Sequence, residues 1–464
     1  MMITLDDILF ATKGNVIGNA YHNLSFSGIS IDSRNIKNGQ LFIPLVGERF
    51  DGHDFILNAV RGGATACLTQ KDIEIGDNDT VLIRVQDTLR SLQDIAKYMR
   101  QKYSKVKVIA ITGSTGKTTT KNFVTSVLSQ KYKVLSNIGN YNNQIGLPLT
   151  LVDIDETHDI AVLEMGMNSF GEIRNLSDIA RPDVAIITNI GTAHIGNLGS
   201  RENILKAKLE ITEFFGEDNI AYFNGDDDLL NKVNGNYRIL YFGFNEKNDI
   251  QAFNIKSNKQ DGMEFDVRYK GDIKHFMTKI PGKHNILNAL PAIAAGYNFG
   301  MKYEDIFDGL AGTVNEKMRL KLISVNGISI IDDTYNANPD SVKAAIDYLI
   351  DISTNRRKVV ILGDMLELGE YTVKAHEEIG EYCHLSGIDL LIAYGDYSKH
   401  IVDSAVNSGM RPGDVFYYQN KQELFRSLKT IVKPGDVILV KGSRGMKMDE
   451  IVDYLEEKYD GTIF

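Results

Sequence analysis

This chain predicts an α/β protein of three domains, on three observations. Between residues 105 and 312, apolar strand-like runs alternate with helical stretches, the pattern of a parallel sheet covered by helices on both faces. At the head of that region the apolar run 106–111 opens directly into Gly-Ser-Thr-Gly-Lys-Thr-Thr-Thr at 113–120, the layout of a strand, a phosphate loop and a helix. Beyond Gly312 the alternation starts again. The expected architecture is a smaller N-terminal α/β domain (1–104), a central P-loop parallel sheet with flanking helices (105–312), and a C-terminal open α/β sheet (313–464). A chain of 464 residues is too long for one ordinary core.

The elements follow in order. The opening MMITLDDILFATKG has acidic residues in its apolar stretch and no basic leader, so it reads as a first helix and not a signal peptide. Short strands are expected at 29–33, 40–45, 66–69 and 80–85. An amphipathic helix is expected at 89–103, where Leu89, Leu92, Ile95, Ala96 and Met99 share one face. The central region supplies strands at 106–111, 160–164, 184–187, 220–224 and 239–243, with a helix at 121–128. Residues 250–280 alternate polar and apolar, which suggests an antiparallel hairpin before Pro281. The last region supplies strands at 328–332, 358–363, 390–394 and 437–441, with helices at 340–350 and 375–385.

Composition narrows the class. Hydrophobic content of 43% and charged content of 24% describe a soluble globular protein. A net charge of −10 argues against general nucleic-acid binding, which needs a basic face. No stretch approaches the ~18 uninterrupted apolar residues of a membrane span. Cys67 and Cys383 stand far apart in apolar settings, so two buried free thiols are expected, as suits a reducing cytoplasm. A cytoplasmic monomer is the expectation.

The chemistry is expected at the carboxyl ends of the central strands, where open parallel sheets bind ligands. Glycines at 113 and 116 let backbone N–H groups approach phosphate oxygens, together with Ser114, Thr115 and Thr119. Lys117 can neutralise outer phosphate charge and the Thr118 hydroxyl can ligate Mg²⁺. The bland alternative is a tight turn with an exposed lysine. Glu164 ends the strand IAVLE, the place for a metal carboxylate or for a capping glutamate. His194 lies in the glycine-rich segment after VAIIT, as a metal ligand or a structural hydrogen-bonder. Lys208 sits in a helical stretch, where most lysines are solvated. Asn224, Asp226 and Asp227 suit hydrogen bonding near the same crevice or a simple turn. Asn285 and Asn288 share a helix face, where two amides could read an adenine or ribose, or cap the helix.

Taken together, GSTGKTTT, NYNNQIGLPLTL, EMG, NIGTAHIGNLGSRENILKAKLEI, NGDD and PGKHNILNALPAIAA, in this order, resemble the Mur ligases, the ATP-dependent amide-forming enzymes of peptidoglycan precursor synthesis. The resemblance covers essentially the whole chain. IDDTYNANPDSVKAAI and ILGDMLELGE resemble the member that adds D-alanyl-D-alanine to a UDP-N-acetylmuramoyl tripeptide. It implies a first domain for the UDP end of the nucleotide-sugar peptide, contacted by Asp32, Ser33 and Arg34 with Asp51, Gly52 and His53 nearby. It implies ATP at 113–119, Asn285, Asn288, Arg319 and Asp333, and the incoming amine at Tyr335, Asn336 and Asn338. It implies a carbamylated Lys208 which, with Thr118, Glu164 and His194, holds two Mg²⁺ ions, and it gives Lys117, His194 and Lys208 the catalytic roles. At one point the chain departs from the family. Many members carry an acid two or three places after this histidine, whereas Ile195, Gly196 and Asn197 follow here. A nucleotide-driven switch, a non-catalytic nucleotide-sugar binder and a relative with another amine donor are the competing readings.

Overall fold

The computed structural model describes residues 3–17, 23–75 and 80–459, which leaves Met1 and Met2 of the expected first helix outside the described residues. The chain forms two compact units that interleave along the sequence. The first holds 1–112, 132–185 and 209–220; the second holds 113–131, 186–208 and 221–464.

In the first unit, a helix at Leu5–Thr12 opens with a capping box, the Thr4 hydroxyl accepting from Asp7 N–H while the Asp7 carboxylate accepts from Thr4 N–H. A five-stranded sheet follows in the spatial order Asn15–Ile17, Val81–Arg84, Ala66–Thr69, Gln40–Phe42, Gly28–Ser30. Only the edge strand Asn15–Ile17 runs antiparallel. The predicted amphipathic helix is Thr88–Lys102, with Leu92, Ile95, Ala96 and Met99 fully buried. Strand Ile160–Glu164 lies between Lys107–Thr112 and Val134–Ser136, parallel to both, and Glu164 registers with Ile111.

In the second unit, residues 250–280 make three strands where the alternation suggested a hairpin. Ile250–Ser257, Met263–Tyr269 and Asp272–Thr278 form an antiparallel meander. The two-residue turn Lys270–Gly271 adds the extra crossing, both residues having positive φ. Farther along, six strands run in the order Lys321–Val325, Ile328–Asp333, Val437–Lys441, Lys358–Gly363, Leu390–Tyr394, Val415–Tyr418. The sheet is parallel except at the edge hairpin of Lys321–Val325 and Ile328–Asp333. Alternate residues serve opposite faces. Val360, Leu362, Val437 and Leu439 face one apolar cluster, and Val359, Ile361, Ile438 and Val440 face the other. Burial on both faces explains why these strands read as unbroken apolar runs.

Candidate active site

The phosphate loop is built in the second unit by glycines that admit no side chain. Gly113 has φ 155°, and a Cβ there would lie 1.8 Å from Thr188 Oγ1. Gly116 has φ 77°, and a Cβ there would lie 2.2 Å from Asn288 Oδ1. The following helix, Lys117–Leu128, begins four residues earlier than the sequence pattern suggested. Thr118, Thr119 and Thr120 in its first turn are buried, so the amphipathic pattern shows only beyond that turn.

A second segment clamps the loop. Ser114 N–H donates to Asn189 O (3.1 Å), Thr115 N–H to Asn189 Oδ1 (3.0 Å), and Thr188 Oγ1 to Thr115 O (2.5 Å). The clamp is held in turn by the NGDD segment. Asn224 Nδ2 donates to Thr188 O (3.0 Å) and Asp227 Oδ2 accepts from Ile190 N–H (2.7 Å). Thr188 and Asn189 went unnoticed in the sequence. The available signal was two polar residues at the carboxyl end of an apolar strand.

Lys117 Nζ folds back on Gly113 O at 2.9 Å. Thr118 Oγ1 accepts from Arg319 Nη2 at 3.1 Å, and the Arg319 guanidinium lies 4.2 Å from the centre of the Tyr335 ring. Tyr335, expected at the amine, thus provides a platform for the arginine at the loop. Asn285 and Asn288 are buried behind the loop and engaged with protein. Asn288 Nδ2 donates to Asn285 Oδ1 (2.9 Å) and Asn285 Nδ2 to Pro281 O (2.6 Å).

Lys208 is 1% exposed. Burial, aided by the Lys117 charge, pushes its amine well below the ordinary lysine range. A helix lysine here is therefore not a solvated one but a buried amine whose charged form is disfavoured. His194 has φ 62°, and its Nδ1 stands 2.8 Å from Glu367 Oε2, out of line for a hydrogen bond. Thr118, His194 and Lys208 belong to the second unit and Glu164 to the first. Glu164 is 2% exposed; its Oε1 accepts from Asn142 Nδ2 (2.7 Å), while Oε2 is buried without a hydrogen-bond partner. A buried acceptor with nothing to bond costs about 1–3 kcal/mol, and a cation would relieve that cost. No group of three or more His, Cys, Asp or Glu side chains suited to a metal converges among the described residues. Of the four expected ligands only Glu164 and His194 are of those kinds, so a full set depends on Thr118 and on a modified Lys208.

Asp333 and Lys441 are register partners at the ends of adjacent strands. Lys441 Nζ donates to Asp333 Oδ2 (2.5 Å) and to Asn336 O (2.9 Å), which ties down the segment 333–336. Lys441 is buried. Asn338 spends its side-chain oxygen capping helix Pro339–Ile352, accepting from Ser341 N–H at 2.9 Å. Asn336 is exposed. His284 faces Asp333, Lys441 and Asp347; burial pulls its pKa down to about 4, Asp333 opposing and Lys441 adding to the shift.

In the first unit Asp32 pairs with the exposed Arg34 (2.9 Å), and Ser33 stands between them in the turn. Asp51 pairs with Lys71 (2.5 Å) and accepts from His53 Nδ1 (2.6 Å), while His53 Nε2 accepts from Gln70 N–H (3.0 Å). A Cβ on Gly52 would lie 2.6 Å from Leu45 backbone, so close packing alone accounts for that glycine. Cys67 and Cys383 are buried free thiols, and burial raises each pKa to about 12. Among the described residues no helix is long and apolar enough to cross a membrane.

Known families and structures place this geometry in context. A model of the Mur ligase middle domain matches residues 111–296, one of the Mur ligase, glutamate ligase domain matches 318–444, and one of the Mur ligase family, catalytic domain matches 25–100. The UDP-N-acetylmuramoyl-tripeptide--D-alanyl-D-alanine ligase of Bacillus subtilis (strain 168) is 42% identical over 455 residues, 98% of each chain. The Escherichia coli (strain K12) protein of the same name is 35% identical, again over 98% of each. A crystal structure of MurF from Acinetobacter baumannii superposes with a TM-score of 0.89 at 32% identity, covering 98% of this chain and 99% of that one. MurF ligase from Thermotoga maritima in complex with ADP superposes with a TM-score of 0.82 at 28% identity, covering 94% and 98%.

Proposed function

This chain belongs to the Mur ligase family, and from that membership we infer that it is the ATP-dependent, ADP-forming ligase that joins D-alanyl-D-alanine to a UDP-N-acetylmuramoyl tripeptide in peptidoglycan precursor synthesis. The observation that carries the choice of amine is the 42% identity to a ligase of that name over 98% of both chains. The phosphate loop, clamped by Thr188 and Asn189 and faced by Lys117 and Arg319, gives the chemistry a place.

A carboxylate is a poor acyl donor at neutral pH. In this reading the tripeptide carboxylate attacks the γ-phosphorus of ATP, the bond to ADP breaks, and an acyl phosphate forms. The D-alanyl-D-alanine amine then attacks the acyl carbon, and the tetrahedral intermediate collapses with loss of phosphate. Lys117 and Arg319 offset the repulsion between two anions brought together. The loop N–H groups hold the phosphates, and positioning supplies much of the acceleration. Asn285 and Asn288 serve ATP by backing the loop, and Asp333 through the segment it anchors with Lys441. Tyr335, Asn336 and Asn338 lie where the amine is expected. Asp32, Ser33, Arg34, Asp51, Gly52 and His53 serve the UDP end.

The residues fit divalent cations: Glu164 has an unpartnered buried oxygen, and the buried Lys208 amine, its charged form disfavoured by burial, is suited to take up CO₂ as a carbamate. Thr118, Glu164, His194 and the modified Lys208 would hold two Mg²⁺ ions, which supply charge neutralisation when bound. The protein is read as a monomer working in the cytoplasm. One experiment tests the whole reading: supply ATP, UDP-N-acetylmuramoyl tripeptide and a panel of amines, and measure ADP and amide together. ADP without amide would support a switch. Amide with another amine in preference to D-alanyl-D-alanine would reassign the donor.

A further inference from the structure

His194 is met by a residue from a distant part of the chain. Glu367 lies in the loop after strand Lys358–Gly363, and the loop is anchored at each step. Met365 N–H donates to His376 Nε2 (3.1 Å), and the His376 ring is fixed by its Nδ1 against Thr372 O (2.7 Å). Leu366 N–H donates to Ser443 Oγ (2.8 Å). Both His376 and Ser443 are buried. Glu367 itself has φ 65°, a conformation costing a non-glycine residue roughly 1–2 kcal/mol. Its carbonyl accepts from Gly196 N–H at 3.2 Å. A Cβ on Gly196 or on Gly369 would lie 2.6 Å from the other's backbone. Ile195 packs against the apolar cluster that contains Met365 and Leu368. The apolar Ile195 is thus used to dock this loop.

An incidental surface ion pair needs none of this anchoring. We propose that Glu367 is a positioning residue for His194, its carboxylate facing Nδ1 so that this nitrogen carries the proton and Nε2 keeps the lone pair. A carboxylate behind a histidine sets ring orientation and tautomer, and removing such a partner typically weakens metal binding by 10–100-fold. The proposal rests on the reading of His194 as a cation ligand. It adds that the ligand is set correctly only when the 365–369 loop is docked.

The test uses the full chain with Mn²⁺ and ADP as probes. Mn²⁺ binding is followed by electron paramagnetic resonance of the free ion, and the ring nitrogens by ¹⁵N-histidine NMR, with the His194→Ala spectrum giving the assignment. Glu367→Ala is expected to weaken Mn²⁺ binding about 10–100-fold and to redistribute the His194 ring between tautomers. Glu367→Gln, which keeps an oxygen facing Nδ1 but removes the charge, should restore most of both. Gly369→Ala, which pushes the loop off Gly196, should behave like Glu367→Ala while thermal unfolding confirms a folded chain. If His194→Ala leaves Mn²⁺ binding unchanged, the ligand reading fails and the proposal with it. If His194→Ala weakens binding but Glu367→Ala alters neither affinity nor tautomer, the positioning role is overturned and the ligand reading stands.

Discussion

Substituting Gly116 by Ala tests the phosphate loop with a cost that follows from the geometry. At φ 77° any Cβ is strained, by about 1–2 kcal/mol. The new methyl would also lie 2.2 Å from Asn288 Oδ1 and 3.0 Å from its Cγ. Asn288 cannot simply swing aside, because its amide donates to Asn285 at 2.9 Å and Thr120 donates to its oxygen at 3.4 Å. Overpacking of this kind costs about 1–3 kcal/mol. The total is about 2–5 kcal/mol, divided between two observables. A loop that keeps its shape loses that much unfolding free energy; a loop that relaxes keeps its stability and loses phosphate affinity. At 1.4 kcal/mol per factor of ten, the second limit is about 30- to 4,000-fold in ADP binding. Urea unfolding and ADP titration calorimetry on the same sample measure both. Gly271→Ala is the control: it shares the positive φ (86°) but has nothing within 4 Å of its Cβ, so it should cost about 1–2 kcal/mol of stability and leave ADP affinity alone. A Gly116→Ala protein with wild-type stability and wild-type ADP affinity would refute the loop geometry.

Three further outcomes are expected. Lys117→Ala should abolish ligation with an unchanged circular dichroism spectrum and melting profile; a fully active variant would remove the loop lysine from the mechanism. Lys208→Ala should be inactive in the ADP-release assay and regain part of its rate with added short carboxylates such as formate; an undiminished rate without them would exclude the carbamate. His284 carries a pH dependence whose sign is fixed by its depressed pKa. With the folded value at about 4 and the unfolded one near 6.5, the unfolded chain binds the extra proton between those limits. Stability due to this residue is therefore complete above pH 6.5 and is lost as pH falls toward 4. The half-buried ring keeps the total below about 3 kcal/mol. His284→Gln should flatten the slope of urea stability against pH between 7 and 5, and an unchanged slope would contradict the depressed pKa of this ring.

What could be read from the sequence divides along physical lines. Strands buried on both faces, such as Ile160–Glu164, Lys358–Gly363 and Val437–Lys441, were legible to the residue because burial demands unbroken apolar runs. Edge strands were missed or shortened. Lys321–Val325 breaks its apolar residues with Lys321 and Ser324, and Val415–Tyr418 is only four residues long with one of them buried, since one side of an edge strand has no neighbour. The phosphate loop was legible because its constraints are local: positive-φ glycines next to a lysine. Lys208 was not, because its burial comes from tertiary packing, and a helix lysine looks the same in sequence whether solvated or enclosed. Glu367 lies within ILGDMLELGE, which carries part of the resemblance, but nothing local gives it a role. Its importance lies in the proximity of residues 194–196 and 367–369, a long-range fact that only folding supplies.

That proximity bears on how the chemistry is kept from water. Segments far along the chain meet the nucleotide region at several places, three of them being Arg319 on Thr118, Glu316 on Asn122 (3.1 Å) and Lys121 (3.8 Å), and the 367–369 loop on 194–196. The joins are polar, apart from Ile195. Partly exposed ion pairs are worth about 0–1 kcal/mol each, so together the three contribute a few kcal/mol. A large apolar seam would lock the segments in place; joins this weak would let segments part within a catalytic cycle. An acyl phosphate needs the closed arrangement to escape hydrolysis, and product needs the open one to leave. If the segments part and close in this way, marginal polar contacts that also carry Arg319 to the loop and Glu367 to His194 would make closure and assembly of the site a single event, with water excluded when the catalytic groups are complete.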